Sequence, residues 1–337
     1  MSNKVIFLVD KVGKDFELVF DEALRRRIAR EMGVEAIPVF DAAHLRELND
    51  GLPDTQIVLS TWNMPVLGSK EIAALFPGLR HIFYAAGTVK YFAEPYLEQG
   101  VHVYSAASIN AEPVAEYATA LILLAAKGFY RSRITAARHF FKAKKTSDAF
   151  PGNYRSKVGI LGFGNIGRRV AAALCREAKL DLFAYDPYVS EEKCAELGVT
   201  KTSLDEIFRT CDVITNHMPD ISETKGVVSA KLLSLMKPTA TFINTGRGAQ
   251  IDEGALASTL RRNRLQTAIL DVTSPEPIRP WSPLLRCKNA YVTPHIAGSL
   301  GNEKLRMGEA MFEEMRRVLS GAAPLYEVTA ASLAKGA

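Results

Sequence analysis

Residues 158–187 read VGILGFGNIGRRVAAALCREAKLDLFAYDP, and this stretch decides the fold. An apolar run from Val158 to Leu161 leads into Gly162, Gly164 and Gly167 at GxGxxG spacing. A helical pattern follows through Val170, Ala173 and Leu174, and a second apolar run ends at Asp186. The glycines have separate physical tasks: one makes a tight turn, one lets backbone approach a pyrophosphate, and one lets the helix sit close on the strand. A helix opening at this point aims free N–H groups and its positive end at phosphates. Asp186 falls 19 residues after Gly167, near where an acid receives the adenosine ribose hydroxyls. The register of strand, helix, second strand and terminal acid predicts a dinucleotide site. A carboxylate repels a 2′-phosphate, so NAD is favoured over NADP. Arg168 and Arg169 keep the phosphorylated cofactor in play, although the start of a helix suits the pyrophosphate or solvent better.

Outward from this stretch, short apolar runs alternate with helical patterns almost throughout. Residues 4–10, 36–40, 56–60, 81–87 and 101–105 have the pattern of buried strands, with amphipathic segments such as 16–32 and 69–75 between them. A second series continues from 158–161 through 182–186, 211–218, 240–246, 267–272 and 290–294. Such alternation predicts parallel sheets wrapped by helices, here as two α/β units in tandem. Asn110-Ala111-Glu112-Pro113 reads as a helix start near the boundary, with a helix over 112–127. Residues 130–156 are basic, aromatic and irregular in pattern. They read as a mobile surface loop or as an arm that grips a partner subunit. The pattern after residue 299, with Leu305, Met311, Phe312, Met315, Val318 and Leu319, predicts a helix that returns to the first unit.

Composition narrows the class. The chain has 337 residues, 47% hydrophobic and 23% charged, as expected of a globular protein with two domains. A net charge of +5 over this length, without a dense basic tract beyond 25–27 and 142–145, does not imply nucleic acid. The longest apolar stretch, 118–126, is far short of a membrane span. Cys175, Cys194, Cys211 and Cys287 lack CxxC pairing and metal-ligand spacing, so no metal is expected and the thiols read as buried small hydrophobes. The first residues enter a strand pattern directly, without a signal peptide's apolar region. A cytoplasmic enzyme is the expectation.

Three segments of the second series end in polar residues where strands run out: NTGRG (244–248), DVTSPEP (271–277) and TPHIAG (293–298). Ligands of open α/β sheets sit beyond the carboxyl ends of strands, so Arg247, Glu276 and His295 are the candidate catalytic residues. Reduction of a 2-keto acid needs a cation to clamp the carboxylate and polarise the carbonyl, which a guanidinium does with two parallel bonds. It needs an acid for the carbonyl oxygen, and imidazolium is the natural donor near neutral pH. A carboxylate beside that imidazole holds its tautomer and favours its protonated form.

These segments, with GFGNIGR, AYDP, NHMPDISETKGVVS and the earlier NAEPVAEYA, resemble the D-isomer-specific 2-hydroxyacid dehydrogenase family, which includes glyoxylate/hydroxypyruvate reductases and 3-phosphoglycerate dehydrogenases. The resemblance covers residues 108–300. It implies an α/β fold of two doubly wound parallel-sheet domains: a flavodoxin-like substrate domain, discontinuous over 1–106 and 299–337, and a Rossmann NAD-binding domain over 107–298. It implies NAD-dependent interconversion of a D-2-hydroxy acid and its 2-keto acid, with Arg247 as substrate-binding catalyst, His295 as general acid/base and Glu276 as its partner. Cofactor contacts are implied at Gly162, Gly164, Asn165, Ile166, Gly167, Asp186, His217, Met218, Pro219, Thr224, Thr245, Gly246, Arg247, Asp271, His295 and Gly298, with Asp271 near the nicotinamide carboxamide. Family members are homodimers joined through the cofactor domain, with arms around 120–156, which favours the partner-gripping reading of that segment.

The first hundred residues match less well. Many members carry a Gly-Val-Gly-type turn followed by an acid, whose amides hold the substrate carboxylate. Here the stretch is Tyr84-Ala85-Ala86-Gly87-Thr88-Val89-Lys90, without the acid. Ala86 and Gly87 are the candidate substrate contacts of this unit, with Trp62 either walling the pocket or packing in the core. A binding protein that senses NADH with little turnover, in the manner of corepressors resembling this family, is the alternative. Chemistry on formate or phosphite is disfavoured, since neither needs a protonated carbonyl oxygen.

Overall fold

The structure, a computed structural model, describes residues 4–48 and 50–334. The chain divides into two units, residues 1–110 with 299–337 and residues 111–298.

The first unit is built on five parallel strands: β1 (Val5–Val9), β2 (Val39–Asp41), β3 (Ile57–Ser60), β4 (His81–Tyr84) and β5 (His102–Ser105). Their order is β2-β1-β3-β4-β5, with a two-residue strand, Glu327–Val328, antiparallel outside β5. This is the flavodoxin-like order, whose direction reverses between β1 and β3. One face of the sheet is covered by Phe16 and Phe20 against Phe7, with the Phe7 and Phe16 rings edge to face at 5.3 Å. Onto the same face comes the helix Glu303–Leu319, through Met307, Met311, Phe312 and Met315. That spacing lines one stripe of a 3.6-residue helix. Gly308 is required there, because a Cβ would lie 2.0 Å from the Val19 carbonyl oxygen.

The second unit has seven parallel strands: β6 (Tyr154–Leu161), β7 (Lys179–Tyr185), β8 (Val199–Lys201), β9 (Val213–Asn216), β10 (Thr241–Asn244), β11 (Thr267–Leu270) and β12 (Ala290–Val292). Their order is β12-β11-β10-β9-β6-β7-β8. The direction reverses between β6 and β9, at the end of the glycine-rich strand, and an open sheet of this kind leaves its binding crevice at that reversal. Strands buried on both faces explain the unbroken apolar runs of the sequence.

Four expectations need correction. The segment 16–32 is two helices, Lys14–Val19 and Glu22–Glu31, because Asp21 accepts from the Leu24 N–H at 2.7 Å and starts a new helix. The boundary helix runs Ala107–Ala126, so Pro113 lies inside it rather than in its first turn. Ser105 accepts from the Ala107 N–H, which lets the helix start early, while the side chain of Asn110 accepts from the Ser299 N–H at 3.0 Å. Residues 130–156 are not irregular: they carry the helices Phe129–Ala136 and Phe140–Ser147. Cys175 is exposed, unlike the three buried thiols. No helix among the described residues is long and apolar enough to cross a membrane, and no group of metal-ligating side chains is present among them.

Candidate active site

The turn after β6 is built by what its glycines exclude. Gly162 has φ +85°, and a Cβ there would lie 2.8 Å from the His217 carbonyl. A Cβ on buried Gly167 would lie 2.2 Å from the Gly162 oxygen, so the helix Asn165–Glu177 sits as close to β6 as backbone allows. Gly164 is the opposite case: a Cβ would meet nothing within 4 Å. No side chain caps this helix, and Gly164 and Asn165 are exposed with Ile166 half-buried, so the first-turn amides lack protein acceptors. Asp186, at the end of β7, accepts from the Phe163 N–H at 2.8 Å and from the Tyr188 N–H at 2.8 Å. Arg168 and Arg169 fold back onto Gly164 and Asn165 of their own helix. Open space over Gly164, a bare helix end and an anchored acid fit a dinucleotide.

Arg247 follows β10 on a loop held by three buried carboxamides. The Asn216 side-chain amide donates to Asn244 Oδ1 (2.8 Å) and to Gln250 Oε1 (2.7 Å). Gln250 Oε1 also accepts from the Arg247 N–H, and Asn244 Nδ2 donates to the Arg247 carbonyl. Gln250 Nε2 donates to the carbonyls of Met218 and Pro219. Gly246 leaves room for these amides, as its Cβ would lie 2.6 Å from Gln250 Oε1. The guanidinium is half-exposed, with Nη1 on the Gly246 carbonyl at 2.8 Å and Nε 4.0 Å from Asp220. A Cβ on Gly248 would lie 2.0 Å from the Thr273 carbonyl carbon, so this loop is pressed against the segment that leads to Glu276.

Glu276 and His295 come together: Glu276 Oε1 is 2.6 Å from His295 Nδ1, with both side chains partly open to solvent. His295 has φ +55°, a left-handed conformation that costs a non-glycine residue on the order of 1–3 kcal/mol. Asp271 imposes it. Its Oδ1 accepts from Thr293 Oγ1 (2.6 Å) and the Ile296 N–H (2.9 Å), its Oδ2 from the Ala297 N–H (2.8 Å), and its carbonyl from the His295 N–H (3.0 Å). The Tyr117 hydroxyl backs Thr293 at 3.3 Å.

Two of the expected cofactor contacts, Asp271 and His217, carry side-chain bonds within the unit. Asp271 is buried, and its side chain serves the loop of His295. His217 is buried with Nε2 at Thr215 Oγ1 (3.0 Å) and Nδ1 at Thr245 Oγ1 (2.9 Å). Burial pulls its pKa down to about 3, so it is neutral, and only its backbone remains for a ligand. Met218 is buried, Pro219 accepts through its carbonyl from Thr224 as well as Gln250, and Gly298 closes the unit. The residues that sequence reasoning missed are Asn216, Asn244, Gln250, Thr293 and Tyr117. Asn216 and Asn244 end apolar strands, but burial of their amides, which obliges them to find partners, is seen only in the fold.

In the first unit the candidates stand at the ends of β3 and β4. Ala86 is fully buried, and Ser105 Oγ donates to the Gly87 carbonyl at 2.6 Å. Thr61 Oγ1 ties the β3 loop to the Ala85 carbonyl, and the Met64 N–H donates to Tyr91. Trp62 is half-buried against both core clusters of this unit, with Lys304 Nζ 5.1 Å over its ring and paired to Asp15.

Residues 119–297 match the model of the D-isomer specific 2-hydroxyacid dehydrogenase family, NAD binding domain. The chain belongs to this family. Over 95% of its length it is 29% identical to the D-3-phosphoglycerate dehydrogenase of Archaeoglobus fulgidus, of which it covers 56%. Over 67% of its length it is 33% identical to the glyoxylate reductase of Aeropyrum pernix, covering 68% of that protein. The holo D-mandelate dehydrogenase of Rhodotorula graminis superposes with a TM-score of 0.77 over 97% of this chain and 98% of that one, and at 21% identity this likeness concerns the fold alone. The chain spans about half the length of the D-3-phosphoglycerate dehydrogenases it matches.

Proposed function

We propose that the protein is an NAD-dependent oxidoreductase that interconverts a D-2-hydroxy acid and its 2-keto acid, with a glyoxylate/hydroxypyruvate-type substrate. The observation that carries this reading is the 2.6 Å pairing of Glu276 with His295, in a unit where Gly248 presses the loop of Arg247 against the segment leading to Glu276. The turn of Gly162 and Gly164, the first-turn amides of the helix at Asn165 and the carboxylate of Asp186 would hold the cofactor. When bound, the nicotinamide supplies or accepts the hydride at substrate C2. With Nδ1 engaged by Glu276, His295 has Nε2 left to give a proton to the carbonyl oxygen, or to take it from the hydroxyl in the reverse direction. Arg247 binds the carboxylate and withdraws charge from the adjoining carbonyl. On the first unit, Ala86, Gly87 and Trp62 remain the candidates for substrate contact.

NAD is preferred to NADP on this reading, because Asp186 is pinned by two amides and repels a 2′-phosphate. Exposed Phe129, Phe140 and Phe141, on two successive helices, support a homodimer through the second unit. The free state of all four cysteines suits the cytoplasm. The test is oxidation of NADH and of NADPH with glyoxylate, hydroxypyruvate, pyruvate and 3-phosphohydroxypyruvate. Turnover of a 2-keto acid with NADH supports the proposal. Tight NADH binding without turnover on any of them replaces it with the NADH-sensing alternative.

A further inference from the structure

Glu253 opens the helix Glu253–Arg262 but does not cap it, since Asp252 already accepts from the Ala255 N–H at 2.8 Å. Its side chain instead reaches 21 residues along the chain, where Oε1 accepts from the Ser274 N–H at 2.7 Å. The carboxyl is half-buried, and burial raises its pKa while the Ser274 N–H opposes that. A carboxylate is rarely buried without a task, because the charged form loses its hydration. Three features meet at the amide it holds. The preceding carbonyl, Thr273, is the one pressed by Gly248 of the Arg247 loop. The Thr273 hydroxyl donates to the Pro275 carbonyl and closes the segment into a compact turn. The next residue but one is Glu276, whose Oε1 meets His295 at 2.6 Å.

We propose that Glu253 is a positioning residue: its bond to the Ser274 N–H sets where Glu276 meets His295. The inference rests on the catalytic reading given above. Charge-assisted bonds of this length are the strong class, and catalytic groups are sensitive to displacements of about 1 Å. Loss of the bond lets the segment between Thr273 and Glu276 drift against the fixed loop of His295, which Asp271 holds independently.

Glu253→Ala and Glu253→Gln separate the bond from the charge, since the glutamine keeps an acceptor oxygen. We expect Glu253→Ala to lower kcat roughly ten- to a hundredfold and to displace the pH profile of kcat/KM, with KM for NADH little changed. Glu253→Gln keeps most of the activity and the wild-type profile. If Glu253→Ala does not fold, Glu253→Asp, shorter by one methylene, shows the same loss. The Cε1–H resonance of His295, assigned by its disappearance in His295→Ala, is read on the protein without substrate and moves in Glu253→Ala but not in Glu253→Gln. An unmoved resonance, an unchanged pH profile or equal losses in the alanine and glutamine variants overturns the proposal. If the wild type turns over no 2-keto acid, the catalytic reading falls by itself, and the resonance still decides whether Glu253 positions the pair.

Discussion

Glu276 Oε1 stands 2.6 Å from His295 Nδ1, joining a loop that follows β11 to one that follows β12. The pairing leaves one ring nitrogen free, and the two substitutions that break it have different consequences. His295→Ala removes the proton donor and is expected to cut turnover by about two to four orders of magnitude. Glu276→Gln keeps the imidazole but not its charged partner, so its loss is smaller and falls on kcat more than on NADH affinity. Stopped-flow oxidation of NADH measures both. A His295→Ala enzyme near full rate removes that residue from the mechanism.

Asp271 gathers three donors from the 293–297 loop with its side chain alone. Asp271→Asn turns one acceptor into a donor facing those groups, and bonds to a buried charge are worth more than neutral ones. We expect a loss of about 2–4 kcal/mol in urea unfolding, together with lower turnover, because the strained backbone of His295 is released. Unchanged stability would show that the loop holds its shape by other means.

His217 gives the second unit a pH dependence whose direction follows from burial. Its ordinary pKa is 6.5, and the folded value lies at about 3. Between these, the unfolded chain binds a proton that the folded chain refuses, so stability is complete above 6.5 and is lost as the pH falls toward 3. The slope contributed is roughly 1.4 kcal/mol per pH unit at most. Denaturation midpoints measured from pH 7 to pH 4 should decline less steeply in His217→Gln than in the wild type. Parallel declines would place the acid sensitivity elsewhere.

Gly248 has no space for a side chain, since the first carbon would lie 2.0 Å from the Thr273 carbonyl carbon. Gly248→Ala therefore forces the Arg247 loop and the 273–274 backbone apart. Overpacking of this kind costs about 1–3 kcal/mol, and the accompanying displacement should raise KM for the 2-keto acid while leaving NADH affinity, measured by calorimetry, close to wild type. An alanine variant with wild-type KM contradicts the contact.

Fold was legible wherever burial on both faces wrote continuous apolar runs, as at 158–161 and 56–60. It was less legible at Val199–Lys201 and Glu327–Val328, where strands of three and two residues carry too little pattern to separate from a loop. The helix break at Asp21 was hidden because the apolar spacing continues across it, and only the capping side chain marks the interruption. At the candidate site, Arg247, Glu276 and His295 could be named from their chemistry and their places after strands. The supporting carboxamides could not, because an asparagine at a strand end reads as a turn residue until its partners on β9, β10 and the Gln250 segment are seen side by side. His217 and Asp271 show a second side: residues whose chemistry suits a ligand also tie the frame of the unit together.

Beneath Arg247 that frame is knit from Asn216, Asn244 and Gln250, none of which ionises. Neither acid nor added electrolyte has a handle on such a lattice. The guanidinium is thus presented from a platform whose own bonds carry no proton to gain or lose.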